Sequence, residues 1–415
     1  MKKNILIILF SILGAFGFAT DKVFNIKDFG AMPNDSKDDT QAIQNCINEA
    51  VKYENSKIIF GSGVYNINKQ LTANCAGKNL EIIGETIKDE ITEVHSTSMK
   101  HIIHIRGFFS NPSTGTFKLN QITIIGNNKP YSLNHPSINK KEWNAALMIT
   151  DMSNISINKV HIENFYGQGI HITTTDPLNL PLGARFKLVE ITNCKLIDIW
   201  GSNPKSDDYG DAIYLANVAN GVIKNNYIDN RLLQTKQLGR CGIVLEYFSE
   251  NITVSNNQVV EGYDRPLHVE STFGGHSIVG NIFRGSDLGI VVAENFEKTY
   301  KRAVFSKNKI SNVNLRKNVK FTKSYGEGSF GDRSFVYLVT TGSAECNLII
   351  FQDNEFLVDD DYIYKSNSVF NIRSKNVELI RNTFKSTNTN KKYSIFNYGK
   401  SKISRNNLQS NIDIK

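Results

Sequence analysis

The sequence predicts an all-β chain built as one solenoid of stacked coils, with a single amphipathic α-helix ahead of the repeats. The first observation is a recurring turn. A polar residue, usually Asn, follows an alternating apolar strand and precedes x-apolar at Asn120, Asn158, Cys194, Asn226, Asn257, Asn281, Asn308, Asn354, Asn382 and Asn406. These positions lie 24 to 38 residues apart, with one interval of 46 between Asn308 and Asn354, which is the range of solenoid periods. The second observation is that nothing in the 415 residues reads as an interdomain linker. That length would otherwise allow two or three ordinary domains. The third is an opening order of strand, helix, strand, strand.

Met1-Lys2-Lys3-Asn4, the apolar run Ile5 to Phe18 and the small residues around Ala19 have the pattern of a secretory signal. The expectation is a cleaved signal over 1–19, a mature domain over 20–415, and a secreted or periplasmic protein. The apolar run is shorter than the ~20 residues that span a bilayer, and no Cys stands at the cleavage point to make a lipoprotein. Val23 to Ile26 reads as a strand. A capping helix is expected over 38–53: Asp38, Asp39 and Thr40 supply oxygens and negative charge at its start, and Ala42, Ile43, Cys46, Ile47, Ala50 and Val51 recur at helical spacing. Lys57 to Phe60 and Gly63 to Ile67 read as the next two strands.

Asp28-Phe29-Gly30-Ala31, Asp38-Asp39-Thr40-Gln41-Ala42-Ile43-Gln44 and Ile59-Phe60-Gly61-Ser62-Gly63-Val64-Tyr65-Asn66-Ile67 together resemble the opening of pectate-lyase-superfamily (pectin-lyase-like) proteins. The resemblance implies a right-handed parallel β-helix whose open end the amphipathic helix caps. Met32-Pro33-Asn34-Asp35 stands where that superfamily more often has a Gly-Asp-Gly turn. The superfamily includes hydrolases, lyases, epimerases and tailspikes, so the reaction does not follow from the fold. In such a fold equivalent residues stack at roughly the 4.8 Å strand spacing, and a column of Asn can form a hydrogen-bonded ladder. The wide intervals place loops at Thr174 to Ala184, Asn230 to Gly239 and Val313 to Asp332, where a rigid solenoid usually carries its binding face.

Five cysteines, Cys46, Cys75, Cys194, Cys241 and Cys346, show no CxxC pairing, so neither a disulfide framework nor a zinc site is signalled. A net charge of +8 and a pI near 9.0 suit an anionic partner. Nucleic acid, an anionic membrane or an acidic polymer would each fit the charge; export argues against nucleic acid, an acidic polysaccharide is the sharper reading, and a lysine-rich surface that keeps the protein soluble is the plainer one.

Candidate chemistry gathers between Gly210 and His276. Aligned strands read Ile170-His171-Ile172-Thr173, Ile213-Tyr214-Leu215-Ala216, Ile243-Val244-Leu245-Glu246, Leu267-His268-Val269-Glu270 and Ile290-Val291-Val292-Ala293. Alternation sends the first and third positions inward and His171, Thr173, Tyr214, Glu246, His268 and Glu270 outward. Glu246 and Glu270 then occupy neighbouring coils about 5 Å apart. They can act as acid with base or nucleophile, or hold calcium. Asp211, at a bend one coil from Glu246, offers a wider separation of the kind an inverting glycosidase needs. The catalytic candidates are Glu246, Glu270, Asp211 and His268. Substrate contacts are expected from Arg240, Arg265, Tyr214, His171 and His276, with Tyr214 and His171 forming a flat surface for a sugar ring. Asp207 and Asp208 are a weak metal candidate, and Ca²⁺ is the one cofactor the acidic residues suggest. The motif sets of polygalacturonases, alginate epimerases and ι-carrageenases are missing. The expectation is an enzyme that hydrolyses glycosidic bonds of an acidic polysaccharide through carboxylates. The alternatives are a lyase acting beside a uronate carboxylate and a non-catalytic glycan-binding or adhesion β-helix.

Overall fold

The computed structural model describes residues 22–98, 100–108, 114–127, 144–179, 181–201, 210–231, 239–285, 288–292, 300–312, 335–340, 348–358 and 367–415. These residues form a right-handed parallel β-helix. Successive strands are dealt in turn to three sheets of 13, 12 and 12 strands, and each strand pairs in parallel with its equivalents one coil above and below. One turn of the solenoid is therefore three strands and three corners. Alternate residues of every strand face the axis, and they form one continuous apolar core from Phe24 to Ile412. Removing this surface from water is the dominant favourable term. Aromatic stacks continue it through the C-terminal coils, as between Phe305 and Phe351, whose ring centroids lie 4.5 Å apart.

The predicted capping helix is present over Thr40–Ala50, shorter than the 38–53 span expected. Its buried face is Thr40, Ile43, Cys46, Ile47 and Ala50, the spacing of one helical stripe. The two aspartates at its start have divided their work. Asp38 Oδ1 accepts from the Thr40 backbone N–H at 3.1 Å, whereas Asp39 accepts from the backbone N–H groups of Met32 and Asn66. Asp39 thus stitches the loop and the neighbouring strand to the cap. The predicted strands appear as Lys22–Asn25, Asn55–Phe60 and Gly63–Ile67. Cys46, Cys75, Cys194 and Cys241 are buried free thiols; Cys346 lies outside the described residues.

The Asn column exists, with one correction to its upper end. From Asn226 through Asn257, Asn281, Asn308, Asn354 and Asn382 to Asn406, each side-chain amide donates to the Oδ1 of the next, at 2.9 to 3.1 Å. Each also donates to a main-chain carbonyl on the coil above, as Asn281 does to Val254 O. Asn120 and Asn158 do not belong to this column. They pair with each other and with Thr192, two residues before the corner. The ladder position in those coils is held by Ile122, Val160 and, one coil on, Cys194. The backbone marks the position independently. The preceding residue has a left-handed φ at Gln121, Lys159, Asn193, Asn225, Asn256, Gly280, Lys307, Asp353, Arg381 and Arg405, from 54° to 67°. That conformation costs a non-glycine residue roughly 1–2 kcal/mol, which the amide ladder helps offset from Asn226 onward.

Candidate active site

The sheet running from Leu71–Asn74 to Ile412–Ile414 carries two columns of outward side chains. Strand register builds the first as Thr72, His104, Met148, His171, Tyr214, Val244, His268 and Gly289. The second includes Arg106, Thr150 and Thr173, and further along Ala216, Glu246 and Glu270. The last aligned strand of the sequence-based register is corrected here: Leu267 lies opposite Leu288, not Ile290, so Glu270 meets Val291. The two columns floor a cleft of about 990 Å³, walled by Thr174, Thr175 and Pro177 of the predicted 174–184 loop and by Tyr247. The other two predicted loops lie largely outside the described residues.

Glu246 and Glu270 are directly paired across adjacent strands and both line the cleft. Their surroundings differ. Glu246 is buried, and Tyr214 Oη donates to its Oε2 at 2.6 Å. Burial raises its pKa above the usual carboxylate value, a shift that Arg240, His268 and the Tyr214 hydrogen bond only partly oppose. Glu270 is open, its side chain 43% exposed, and lies 2.8 Å from Nε2 of the buried His268. One donor atom from each of Glu246, His268 and Glu270 falls within 4.8 Å of the others.

Asp211 does not reach solvent. It is 0% exposed and takes a bidentate grip on Arg240, Nε to Oδ1 at 2.8 Å and the terminal nitrogen to Oδ2 at 2.5 Å. This corrects the expectation of a second, wider-spaced catalytic acid: Asp211 fixes the guanidinium, and Arg240 lines the cleft. Gln168, which the sequence reading missed, extends the network, donating to Asp211 Oδ2 at 3.3 Å and accepting from His171 Nδ1. A glutamine at a strand start carries no signal of its own.

His171 and Tyr214 stack, centroids 4.3 Å apart and planes 8° from parallel. Their faces are turned on each other, and their register partners on the far sides are Met148 for His171 and Val244 for Tyr214. They leave ring edges rather than the expected flat platform. Burial holds both neutral: it pushes the His171 pKa down to about 3, and it raises the Tyr214 hydroxyl well above its ordinary value, with help from Glu246. Val244, Tyr214, Ala216 and Cys241 form a small apolar cluster on this outer face.

Two predicted contacts fall away from the cleft. Arg265 is buried opposite Cys241 and is not among the cleft-lining residues. His276 lies just ahead of a strand of another sheet, where its Nδ1 accepts from Ile252 N at 3.3 Å and its Nε2 bonds Thr272 Oγ1 at 2.9 Å. Burial lowers its pKa to about 3, so it serves as a neutral turn clamp. Asp207 and Asp208 lie outside the described residues. The far end of the cleft adds His104, exposed Arg106 and Asp151, none of which the sequence reading singled out. No helix among the described residues is long and apolar enough to cross a membrane.

A family model described as "Right handed beta helix region" matches residues 145–316, and the described residues have the right-handed parallel β-helix fold throughout. Solved structures agree across nearly the whole chain. The A-module of the mannuronan C-5 epimerase AlgE4 from Azotobacter vinelandii superposes with a TM-score of 0.54 at 14% identity, covering 94% of this chain and 97% of that one. A tailspike protein of the E. coli bacteriophage HK620 gives 0.57 at 12% identity, covering 95% and 67%. The catalytic unit of a GH87 alpha-1,3-glucanase from Streptomyces thermodiastaticus gives 0.52 at 15% identity, covering 95% and 70%. No curated protein sequence matches this chain. At these identities the likeness establishes the fold.

Proposed function

We propose that this protein is an exported glycoside hydrolase that cleaves an acidic polysaccharide with Glu246 as general acid and Glu270 as nucleophile. The observation that carries the reading is one pair of carboxylates on one cleft floor, in opposite environments: Glu246 enclosed, with its pKa raised, and Glu270 open to the cleft. Divergent surroundings for two neighbouring acids are how one site holds a proton donor beside an ionised partner. The same scaffold carries an epimerase and a glucanase in other proteins, so the fold leaves the reaction open, and the carboxylate pair is what supports the hydrolase reading.

In this scheme the Glu246 proton passes to the glycosidic oxygen as that bond breaks, and a Glu270 oxygen bonds to the sugar's anomeric carbon. Water then attacks the glycosyl ester, giving its proton to Glu246 and freeing Glu270. Carboxyl oxygens within 4.8 Å of each other suit this double displacement better than the roughly 6.5–9.5 Å that accommodates an inverting water. His268 hydrogen-bonds Glu270 and orients it. Exposed Arg106 supplies positive charge along the cleft for a uronate or sulfate.

The test is a screen of the mature protein against uronate and sulfated polysaccharides, reading reducing ends and unsaturated sugars together. New reducing ends with retained anomeric configuration are expected, and Glu246→Gln or Glu270→Gln should lower turnover about 10²–10⁴-fold. Unsaturated products would replace this reading with a lyase. Glycan retention without any product would replace it with a binding β-helix.

A further inference from the structure

We propose that Glu246, His268 and Glu270 form a binding site for a divalent transition-metal ion of the zinc type, and that occupancy switches the cleft off. The inhibitory half rests on the hydrolase reading above; the binding half does not.

The donors are one imidazole and two carboxylates, with a donor atom of each within 4.8 Å of the others. Zinc bonds of about 2.0–2.2 Å would set tetrahedral donors about 3.3 Å apart, which draws the wider pairs together and opens the 2.8 Å His268–Glu270 contact. The backbone beneath them is fixed. Glu246 and Glu270 are register partners on parallel strands, and His268 shares its strand face with Glu270. Tyr214 holds the Glu246 carboxylate from the side at 2.6 Å, the kind of outer hydrogen bond that orients a metal ligand.

A second observation concerns the imidazole itself. His268 is buried, its Nδ1 has no hydrogen-bond partner among the described residues, and its Nε2 lies 2.8 Å from a Glu270 oxygen. A ring N–H donating to the carboxylate accounts for that distance, and it leaves Nδ1 as the buried atom without a partner among the described residues. A metal ion on the ring would take the place of that hydrogen, with cleft water completing its coordination. Imidazole selects zinc-like ions over calcium or magnesium, which prefer oxygen donors. The ion would take the Glu246 and Glu270 oxygens that proton transfer and attack require.

Chelator-stripped protein is titrated with zinc sulfate and, in parallel, calcium chloride by isothermal calorimetry at neutral pH. One zinc per chain is expected with Kd below about 10 µM. Calcium should bind at least about tenfold more weakly. His268→Ala and the half-exposed Glu270→Gln should each weaken zinc by about tenfold or more, with circular dichroism confirming that both variants fold. Absence of saturable zinc heat, equal affinity for calcium, or unaltered binding in the folded variants overturns the site. On whichever polysaccharide is cleaved, zinc should suppress turnover and chelator should restore it; full turnover at saturating zinc overturns the switch. If no polysaccharide is cleaved, the hydrolase reading fails while calorimetry still decides the site.

Discussion

Two polar columns run along this solenoid, and they are built on opposite rules. At one corner the same residue repeats from Asn226 to Asn406, and every amide is satisfied by the next. On the cleft sheet the stacked residues change from coil to coil: histidine, methionine, histidine, tyrosine, valine, histidine in one column, arginine, threonine and two glutamates in the other. There a histidine nitrogen has no partner among the described residues and a carboxyl is held with its pKa raised. Repetition lets neighbours meet each other's needs and stabilises the fold. Unlike neighbours leave needs unmet, and a ligand can meet them.

The largest expected effect tests both sides of that contrast at once. Glu246→Gln should abolish most turnover, about 10²–10⁴-fold, while making the protein more stable. The sign follows from the raised pKa: the folded state holds the Glu246 proton more tightly than the unfolded chain does, so its contribution is present at acid pH and is lost as pH rises through the folded-state value. A neutral amide removes that loss. Thermal melts at neutral and acid pH should show the variant above wild type at neutral pH, with the difference shrinking on acidification. A variant that is inactive and less stable at neutral pH would place Glu246 among the structural residues.

Asn281→Ala should do the reverse. Its side chain donates to Val254 O and Asn308 Oδ1, and accepts from Asn257 N and Nδ2, all at 2.9 to 3.0 Å and all buried. Stranding these partners should cost about 2–4 kcal/mol in urea melts, with turnover per folded molecule unchanged because the cleft lies on a different sheet. A smaller effect is expected at the link between Tyr214 and Glu246. The Tyr214 hydrogen bond favours the ionised carboxylate, so Tyr214→Phe should raise the Glu246 pKa further. The basic limb of the pH–rate profile should then move to higher pH with the melting profile little altered.

The sequence made some of this plain and hid the rest for two physical reasons. The cap helix was legible because Ile43, Cys46, Ile47 and Ala50 define a helical stripe that nothing else mimics. The ladder was legible wherever Asn itself occupied the corner. Both register errors are slips of two residues, Asn158 taken for Val160 and Ile290 for Leu288. A slip of two preserves the alternation of inward and outward positions, so the apolar pattern is satisfied equally by the right and wrong registers. Glu246 and Glu270 were found as a pair because both stand at the same offset from an apolar strand. The burial of Asp211 and His276 was hidden, since residue type does not reveal which corners other segments cover.

The contrast is sharpened at the place where the ladder begins. Above Asn226 the corner position holds Cys194, then Val160 and Ile122, so the topmost amide oxygen accepts from the backbone N–H of a cysteine. Cys194 N already donates to Asn226 Oδ1 at 2.8 Å, and its Sγ lies 3.7 Å from Ile157 O, the carbonyl that a ladder amide would use. The residue before it, Asn193, already has the left-handed φ of 56°. Cys194→Asn therefore needs no backbone change to donate to both Ile157 O and Asn226 Oδ1. It should stabilise the protein by about 0.5–1.5 kcal/mol, with no change in turnover. An unchanged or lower urea midpoint would mean that the apolar upper corner and the amide lower corner are two separate solutions. A raised midpoint would mean that they are one ladder in which the first rungs lack their amides.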